Sequence, residues 1–393
     1  MATNVYGNGA NSTAGANTIV HYYDRAGVKA ANRTNIYGQF ADRKSMPKKM
    51  GKTFKISKFL HMYDRALNDA EFAAKGFLSA RSVAEVNTAL SNATLSEGAG
   101  AVNKRSLQKV TMETSLARYG EMIDYSDEVE LFSEDAIQVR YREELGELAN
   151  SRMEDLIQLD MLSTGTVMYA GSATAIDEID ADSTVSYDLI RKAVRKLVRN
   201  RAQKTTQMVT GSTKIDTQTV AKAYYAIIGA NVKGDLESLT RGTVSDNGMT
   251  EFVYIPAHKY GSAATLAEGE VGAMHEVRFI ESEAAVVYAG EGAVPAQNYA
   301  GTLSITGATD LTSATEADRG NFDVFPILFP TQGSFATVGL KGQGKIKFNA
   351  KSPEAVENAN PYGTNGFFSY NFFYAGIVLE EEKLLKVLVS ASA

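Results

Sequence analysis

A stretch of about 30 residues beginning at Ser133 has the spacing of one long amphipathic helix, and it limits the folds open to this chain. Apolar side chains recur at helical spacing from Ile137 onward, with charged residues on the other faces. Ser133 is suited to cap the helix, and Glu134 and Asp135 complement the positive end of its dipole. Ending near Gly165, the helix would be roughly 45 Å long, far more than an average globular helix. Its apolar stripe needs a cover.

The last part of the chain, residues 321–393, supplies strands that such a helix can cover. Its β-favouring segments are separated by Gly and Pro, and we predict strands at 324–329, 335–340, 345–348 and 367–379. We therefore expect residues 107–165 and 321–393 to form one layered domain of helices on a sheet.

Two extended segments nearer the N-terminus bracket a long insertion. Residues 52–60 and 108–131 carry β-favouring alternation, with Phe54 in the first and Val110 in the second. Between them, residues 79–106 are small, polar and Gly-containing, which predicts an exposed loop that projects from a two-stranded base. A loop of this length usually contacts a partner.

Residues 183–320 have the pattern of a mixed α/β domain. An amphipathic helix is predicted at 185–200, a further helix at 216–228, and a buried strand at 252–255. The outward face of the first helix is basic and suits contact with nucleic acid. Core-facing helices routinely carry a solvated charged face, and we favour that interpretation. The basic residues are Arg191, Lys192, Arg195, Lys196 and Arg199.

The N-terminal residues 1–51 predict a basic arm rather than a domain. The chain has a formal net charge of -6 at pH 7, yet this region is rich in Lys and Arg and contains only Asp24 and Asp42 as acidic residues. About 18 residues at the start are mostly small and polar, so we expect them to become ordered only with a partner. The arm suits nucleic acid or an acidic neighbouring subunit. A solvated tail is the alternative.

No catalytic, cofactor-binding or metal-ligating residue is predicted. The chain has no Cys, and its four His show no close ligand spacing. No Gly-x-Ser-x-Gly elbow is present. Residues 339–345 match the start of a phosphate-binding loop, but Ile346 replaces the Ser or Thr that would hold magnesium, so we predict a turn. Glycines at 268–272 and 291–292 likewise lack the context of a dinucleotide-binding motif.

Other features also point away from enzymes and membranes. Aromatic residues crowd at 367–374, where a stacking platform for nucleic acid is one interpretation and a strand with a core face is the favoured one. No run of 18 or more uncharged apolar residues and no signal-peptide pattern occurs. We therefore expect neither export nor a membrane span.

Several short motifs occur in order along nearly the whole chain. They are RYGEMIDYSDEV at 118–129, PAHKYG at 256–261, GEVG at 269–272 with RFIE at 278–281, DVFP at 323–326 and NPYG at 360–363. Together with the polar arm and the segment 52–131, they resemble the major capsid proteins of tailed double-stranded DNA phages with the Hong Kong 97-like fold. The resemblance is greatest to the Schitoviridae-type members.

That resemblance implies an α+β fold of five parts. These are an N-terminal arm at 1–51, an extended loop with its two-stranded base at 52–131, the long spine helix of a peripheral domain at 132–182, an axial domain at 183–320, and the sheet of the peripheral domain with the C-terminus at 321–393. It also implies a structural protein without enzymatic activity or cofactors, whose copies assemble into pentamers and hexamers of an icosahedral head.

The partners implied are identical subunits, a scaffold, a portal, a cement or decoration protein, and non-specific contacts with packaged DNA, with no membrane. The implied location is the virion head, after assembly in the cytoplasm of the host bacterium.

Two rival interpretations remain. The same fold forms the shells of bacterial protein nanocompartments, which enclose enzymes, although the long basic arm argues against this. A cytoplasmic α/β enzyme with residues 183–320 as its catalytic domain is the second rival. A pocket with converging titratable groups would favour it.

Overall fold

The structure is a computed structural model that describes residues 36–59, 83–97, 109–132, 137–204, 223–239, 253–254, 269–342, 346–354 and 360–393. Its α-helices are α1 (Val83–Ser91), α2 (Asp127–Phe132), α3 (Ile137–Leu162), α4 (Tyr187–Arg199), α5 (Ala230–Ser238) and α6 (Glu316–Arg319). Its strands are β1 (Asp42–Met46), β2 (Thr53–Phe59), β3 (Lys109–Ser115), β4 (Ala117–Ser126), β5 (Val167–Tyr169), β6 (Tyr224–Ile228), β7 (Val253–Tyr254), β8 (Glu270–Met274), β9 (Val277–Glu281), β10 (Ile305–Thr306), β11 (Asn321–Phe322), β12 (Phe325–Phe329), β13 (Phe335–Leu340), β14 (Lys347–Lys351), β15 (Asn365–Val378) and β16 (Leu385–Val389).

The long helix predicted from residue 133 is present as α3, which has 26 residues from Ile137 to Leu162. The predicted cap at Ser133 lies outside the described residues. At the other end of α3, the Lys386 ammonium donates a hydrogen bond to the Leu162 carbonyl at 2.8 Å. A cation at this point complements the negative end of the helix dipole.

A five-stranded sheet is organised around β15, which is 14 residues long. One edge of β15 pairs antiparallel with β4, and its other edge pairs first with β14 and then with β13. The strand β1 pairs in parallel with β13. The segment 339–345, where a turn was predicted, lies between β13 and β14. These two strands do not pair with each other, because both pair with the same edge of β15.

The helix α3 covers one face of this sheet. Alternate residues of β15 are buried in the core that α3 lines, and these are Phe368, Tyr370, Phe372 and Tyr374. The Tyr374 hydroxyl donates to Asp160 of α3 at 2.7 Å. At Gly376 an added Cβ would lie 2.1 Å from an oxygen of Asp160, so a larger residue would displace the carboxylate that accepts from Tyr374. The aromatic cluster thus serves the core, as favoured from the sequence.

The two-stranded base predicted from the sequence is also present. Strands β2 and β3 pair antiparallel from Thr53↔Ser115 to Phe59↔Lys109 and form a ribbon separate from both large sheets. The described part of the insertion between them contains α1.

A seven-stranded sheet forms the other half of the molecule, in the order β5-β16-β12-β6-β9-β8-β7. Helices α4 and α5 pack on one face, where Leu189, Leu197 and Leu236 join the core formed by the central strands. The opposite face meets the C-terminal half of α3, where Ile227 and Leu328 contribute to the same core as Met161.

The prediction of a helix at 216–228 is wrong over its described part, because Tyr224–Ile228 is the strand β6. All five of its residues are buried. β6 pairs with both β12 and β9. A strand covered on both faces has a continuous apolar run, and over a short stretch this cannot be told from a buried helix by periodicity. Residues 216–222 lie outside the described residues.

The prediction that residues 321–393 belong entirely to the sheet under the long helix also needs correction. β13, β14 and β15 do lie there, but β12 and β16 pair with each other inside the seven-stranded sheet. The reason is burial, because all five residues of β12 are buried. Such a strand fits the centre of a doubly covered sheet.

Candidate functional site

The titratable residues that the structure describes form no cluster of metal ligands. No group of three or more His, Asp or Glu that could hold a metal ion occurs among them. His275 lies in the turn between β8 and β9 with its ring edge against Tyr187, and the other three His lie outside the described residues. Within the same ranges, no helix is both long and apolar enough to cross a bilayer. Four surface elements of the described residues are considered in turn.

The first surface element is the root of the N-terminal arm. Tyr37 is buried, and its hydroxyl and the Gln158 side-chain amide lie 2.8 Å apart. The carboxylate of Glu154 on α3 accepts hydrogen bonds from the backbone N–H groups of Tyr37, Gly38 and Ile36. The arm is thus fixed to α3 where it enters the fold. No sequence signal marked Glu154, since it looks like any other charged residue of an amphipathic helix.

Replacing Glu154 with Ala should lower the free energy of unfolding by about 1–3 kcal/mol or more, because buried backbone donors lose their acceptor. The arm root should also loosen. Trypsin should then cleave after Arg43 and Lys44 faster than in the wild-type chain, which can be followed by mass spectrometry. Glu144→Ala, at an exposed position of the same helix, is the matched control and should leave cleavage unchanged.

Glu154→Gln keeps an acceptor oxygen and should instead change the pH dependence of stability. Burial raises the pKa of the Glu154 carboxyl, although the three backbone N–H groups oppose this rise. Since the folded state binds the proton more tightly than the unfolded chain, the free energy of unfolding should fall as pH rises from the ordinary carboxyl range through the raised pKa. The variant should reduce this slope. Burial also raises the pKa of Asp160, so part of the pH dependence should remain in the variant. If the free energy of unfolding depends on pH equally in the variant and the wild-type chain, Glu154 is not the source of the slope.

The second surface element is the ribbon of β2 and β3. Phe54 and Met112 lie on its more covered face and pack against the five-stranded sheet. The Thr114 hydroxyl donates to the Gly376 carbonyl at 2.9 Å, which fixes the base of the ribbon. Towards the far end Phe59 is exposed. Beside it, Lys58 forms an ion pair of 3.7 Å with Glu382, so the far end of the described ribbon lies against the segment that leads into β16. The exposed outer face of the ribbon remains open to a partner.

A third surface lies at one end of the five-stranded sheet. Three large apolar side chains are strongly exposed there: Leu131 by 73%, Phe132 by 84% and Tyr362 by 89%. The backbone N–H of Asp127, which begins α2, donates to the Thr364 carbonyl at 2.9 Å and joins the two segments. Exposed apolar groups of this size, when clustered, mark interaction surfaces. In the sequence, Pro361 and Gly363 on either side of Tyr362 indicate an exposed turn at this point.

The fourth surface is the outer edge of β4. This strand of ten residues pairs only with β15 among the described strands, and six of its residues in succession are exposed. Met122 is among them. An edge of this length presents unpaired backbone groups to another chain.

The motifs of the sequence lie at points that hold the fold together. Glu270 and Arg278 form an ion pair of 3.2 Å across β8 and β9. The Asp323 carboxylate accepts hydrogen bonds from Gly290 N at 2.8 Å and Ser304 Oγ at 2.6 Å. The Asn360 amide accepts from Thr364 N at 2.9 Å and donates to the Asn365 carbonyl at 2.8 Å. The motif at 256–261 lies outside the described residues.

Comparison with known proteins gives a relative of nearly the same length. The major capsid protein of Pseudomonas phage KPP21 is 30% identical over 389 residues, covering 95% of this chain and 93% of that protein. No protein-family model matches the chain.

Solved structures share the fold at low sequence identity. The capsid of Ralstonia phage GP4 has a TM-score of 0.60 at 10% identity, with 98% of this chain and 99% of that chain covered. The capsid structure of cyanophage P-SCSP1u has a TM-score of 0.53 at 12% identity, with 99% and 98% covered. The capsid of cyanophage Pam1 has a TM-score of 0.53 at 10% identity, with 98% of this chain and 100% of that chain covered.

Proposed function

The chain belongs to the major capsid proteins of phages, and from that premise we propose that its copies assemble into pentamers and hexamers, which close into an icosahedral head around packaged double-stranded DNA. The Hong Kong 97-like α+β fold expected from the sequence is confirmed by the capsid structures that share it. The head-shell function rests on one observation above the others, the identity with a phage major capsid protein over nearly the full length of both chains.

The surfaces of the subunit support assembly from identical copies. A ribbon, a long strand edge and an exposed apolar end lie on different parts of one layered unit. Contacts between unlike patches are heterologous, and they close into rings when the rotation between copies allows it. Projecting elements on a rigid base let the same residues meet neighbours at somewhat different angles.

The parts of the subunit follow from the two sheets. The peripheral domain comprises α3 and the five-stranded sheet, and the axial domain is built on the seven-stranded sheet, so that it takes β5, β12 and β16 as well as the described part of 183–320. Residues 1–51 form the arm, except that β1 joins the five-stranded sheet, and residues 52–131 form the extended loop with its base, except that β4 joins the same sheet. This division differs from the one expected from the sequence because β5 and β12 extend the axial sheet beyond 183–320, and because the chain returns to that sheet with β16 after the peripheral strands β13, β14 and β15.

No catalytic role is part of this function, and no cofactor is required. Further partners are a scaffold, the portal, a decoration protein and, through basic side chains, the packaged DNA. The subunit assembles in the host cytoplasm and ends in the virion head. Particles filled with enzyme rather than DNA would favour the nanocompartment alternative.

Electron microscopy and size-exclusion chromatography of the purified chain, alone and with its neighbouring gene products, test this function. Closed polyhedral particles, tubes, or discrete pentamers and hexamers are the expected result. A monodisperse monomer or dimer under every condition would contradict the proposal.

A further inference from the structure

One end of the seven-stranded sheet is covered by loops with a large excess of negative charge. Residues 173–183 and 282–323 contain ten Asp and Glu residues and a single basic residue, Arg319. We call these loops the acidic cap. Its carboxylates belong to Asp177, Glu178, Asp180, Asp182, Glu283, Glu291, Asp310, Glu316, Asp318 and Asp323.

The two segments of the acidic cap form one surface. Ala293 N donates to the Ile179 carbonyl at 2.9 Å, and Ile179 packs with Val324 and Leu388 in a small apolar cluster beneath the loops. The cap lies where β6 and β16 end, since Ser282 N donates to the Ile228 carbonyl and Ser390 N donates to the Ser183 carbonyl, both at 2.9 Å.

The acidic cap keeps its charge. Hydrogen bonds from Thr174 lower the pKa of the Glu178 carboxyl, and those from Thr312 lower the pKa of the Asp310 carboxyl. Arg319 is mostly covered and lies 3.6 Å from Glu316. One cation against ten acidic residues leaves the cap as a whole strongly negative.

The same domain carries a basic surface on α4. Its exposed Arg191, Lys192, Arg195 and Arg199, which we call the basic stripe, lie on the side of the helix away from the sheet. Like charges at a spacing of four residues destabilise a helix slightly. The packing of α4 on the sheet comes from its buried apolar side and does not need the charge of these four residues. Among the described residues, Asp188 lies 3.4 Å from Arg191 and offsets the charge of the stripe at the start of the helix.

The basic stripe and the acidic cap occupy different places on the domain. Helix α4 begins beside the cap at Ser186, and at its far end the Asn200 amide donates to the Glu382 carbonyl at 2.7 Å, ahead of the start of β16. The helix has 13 residues, so it is about 20 Å long. The stripe extends away from the cap towards the other end of the sheet.

We propose that the basic stripe of one copy contacts the acidic cap of the next copy around a ring, an inference that rests on the assembly proposed above. Because the two surfaces are different patches of one domain, the contact is heterologous and repeats around a closed ring. Complementary charge of this kind sets the register and partner choice of copies as they meet.

A second copy explains both surfaces, whereas DNA explains only one. Packaged DNA would match the basic stripe, but it would leave the exposed carboxylates of the cap, apart from Glu316 beside Arg319, without a cationic partner among the described residues. Every copy carries one stripe and one cap, so the two patches occur in equal numbers. One contact repeated around the ring therefore compensates the charge of both. The stripe is thereby assigned a partner that the sequence alone did not favour over solvent.

Charge reversal in matched pairs tests the contact. The stripe variant carries Lys192→Glu and Arg195→Glu, and the cap variant carries Glu283→Lys and Glu291→Lys. Each variant alone should need roughly tenfold more protein to assemble than the wild-type chain, because like charges then face each other. The combined variant should regain assembly close to that of the wild-type chain. Sedimentation and electron microscopy measure the assembled fraction, and circular dichroism checks the fold of each subunit.

A control separates pairing from net charge. Glu97→Lys with Glu237→Lys adds the same positive charge at exposed positions outside the cap, and combined with the stripe variant it should give no rescue. Rescue by this control, or folded variants that the combination fails to rescue, would overturn the proposal. Normal shells with reduced DNA content in the stripe variant would assign the stripe to DNA instead. A wild-type chain that never assembles would contradict the proposed function itself, whereas shells unaffected by both reversals would contradict this contact alone.

Discussion

Phe372→Ala should lower the free energy of unfolding of the subunit by about 3–5 kcal/mol. Phe372 is only 2% exposed and belongs to the core between α3 and the five-stranded sheet. Its ring stacks on Tyr119 at 5.8 Å and on Tyr370 at 6.1 Å between centroids, so the loss includes aromatic pairing as well as a cavity. Denaturant unfolding of unassembled subunits measures the change, and the yield of shells should fall with it.

Phe367→Ala is the matched control for this prediction. Phe367 lies on the same strand but on the opposite face of the sheet, and it is half-buried. Its replacement should cost about 1 kcal/mol. Equal losses for the two variants would show that the face towards α3 is not the core of this sheet.

Arg278→Ala should destabilise the subunit by about 3–5 kcal/mol, because it leaves the Glu270 carboxylate in a covered site without its cation. The two side chains are exposed by 11% and 6%, and their charged atoms lie 3.2 Å apart. Thermal unfolding of the unassembled subunit measures the loss. The double change Glu270→Gln with Arg278→Met removes both charges and should recover most of the stability.

An exposed pair of similar geometry provides the comparison. Lys55 and Glu113 of the ribbon lie 2.7 Å apart, with both side chains about 60% exposed. Lys55→Ala should therefore change stability by less than about 1 kcal/mol. If Arg278→Ala costs no more than Lys55→Ala, burial is not what makes the Glu270 pair important.

The elements that the sequence predicted well are those whose environment differs between faces. The helix α3, the ribbon of β2 and β3, and the alternating strand β15 each have one face that is more covered than the other, and this leaves a clear period in the sequence. The helix α4 was also placed within two residues at each end, and in the structure the Ser186 side chain caps its start.

The elements that were placed wrongly are covered on both faces. β6 and β12 have no polar face, so their composition carries no period and does not say which sheet they join. Glu154 could not be recognised either, because its role depends on backbone groups more than a hundred residues away in the chain. The complementary charges of stripe and cap were visible as composition, but their positions required the fold.

The order of strands has a consequence for how incomplete chains behave during synthesis. β15 is the centre of the five-stranded sheet, and β16 pairs with both β5 and β12 in the other sheet. Neither sheet can therefore be completed on the ribosome before β15 and β16 have emerged, and folding is dominated by contacts between distant parts of the chain. A prematurely terminated polypeptide lacks the strands that organise both sheets. Because a truncated product cannot complete either sheet, it cannot present the folded surfaces by which complete subunits join a lattice of many copies.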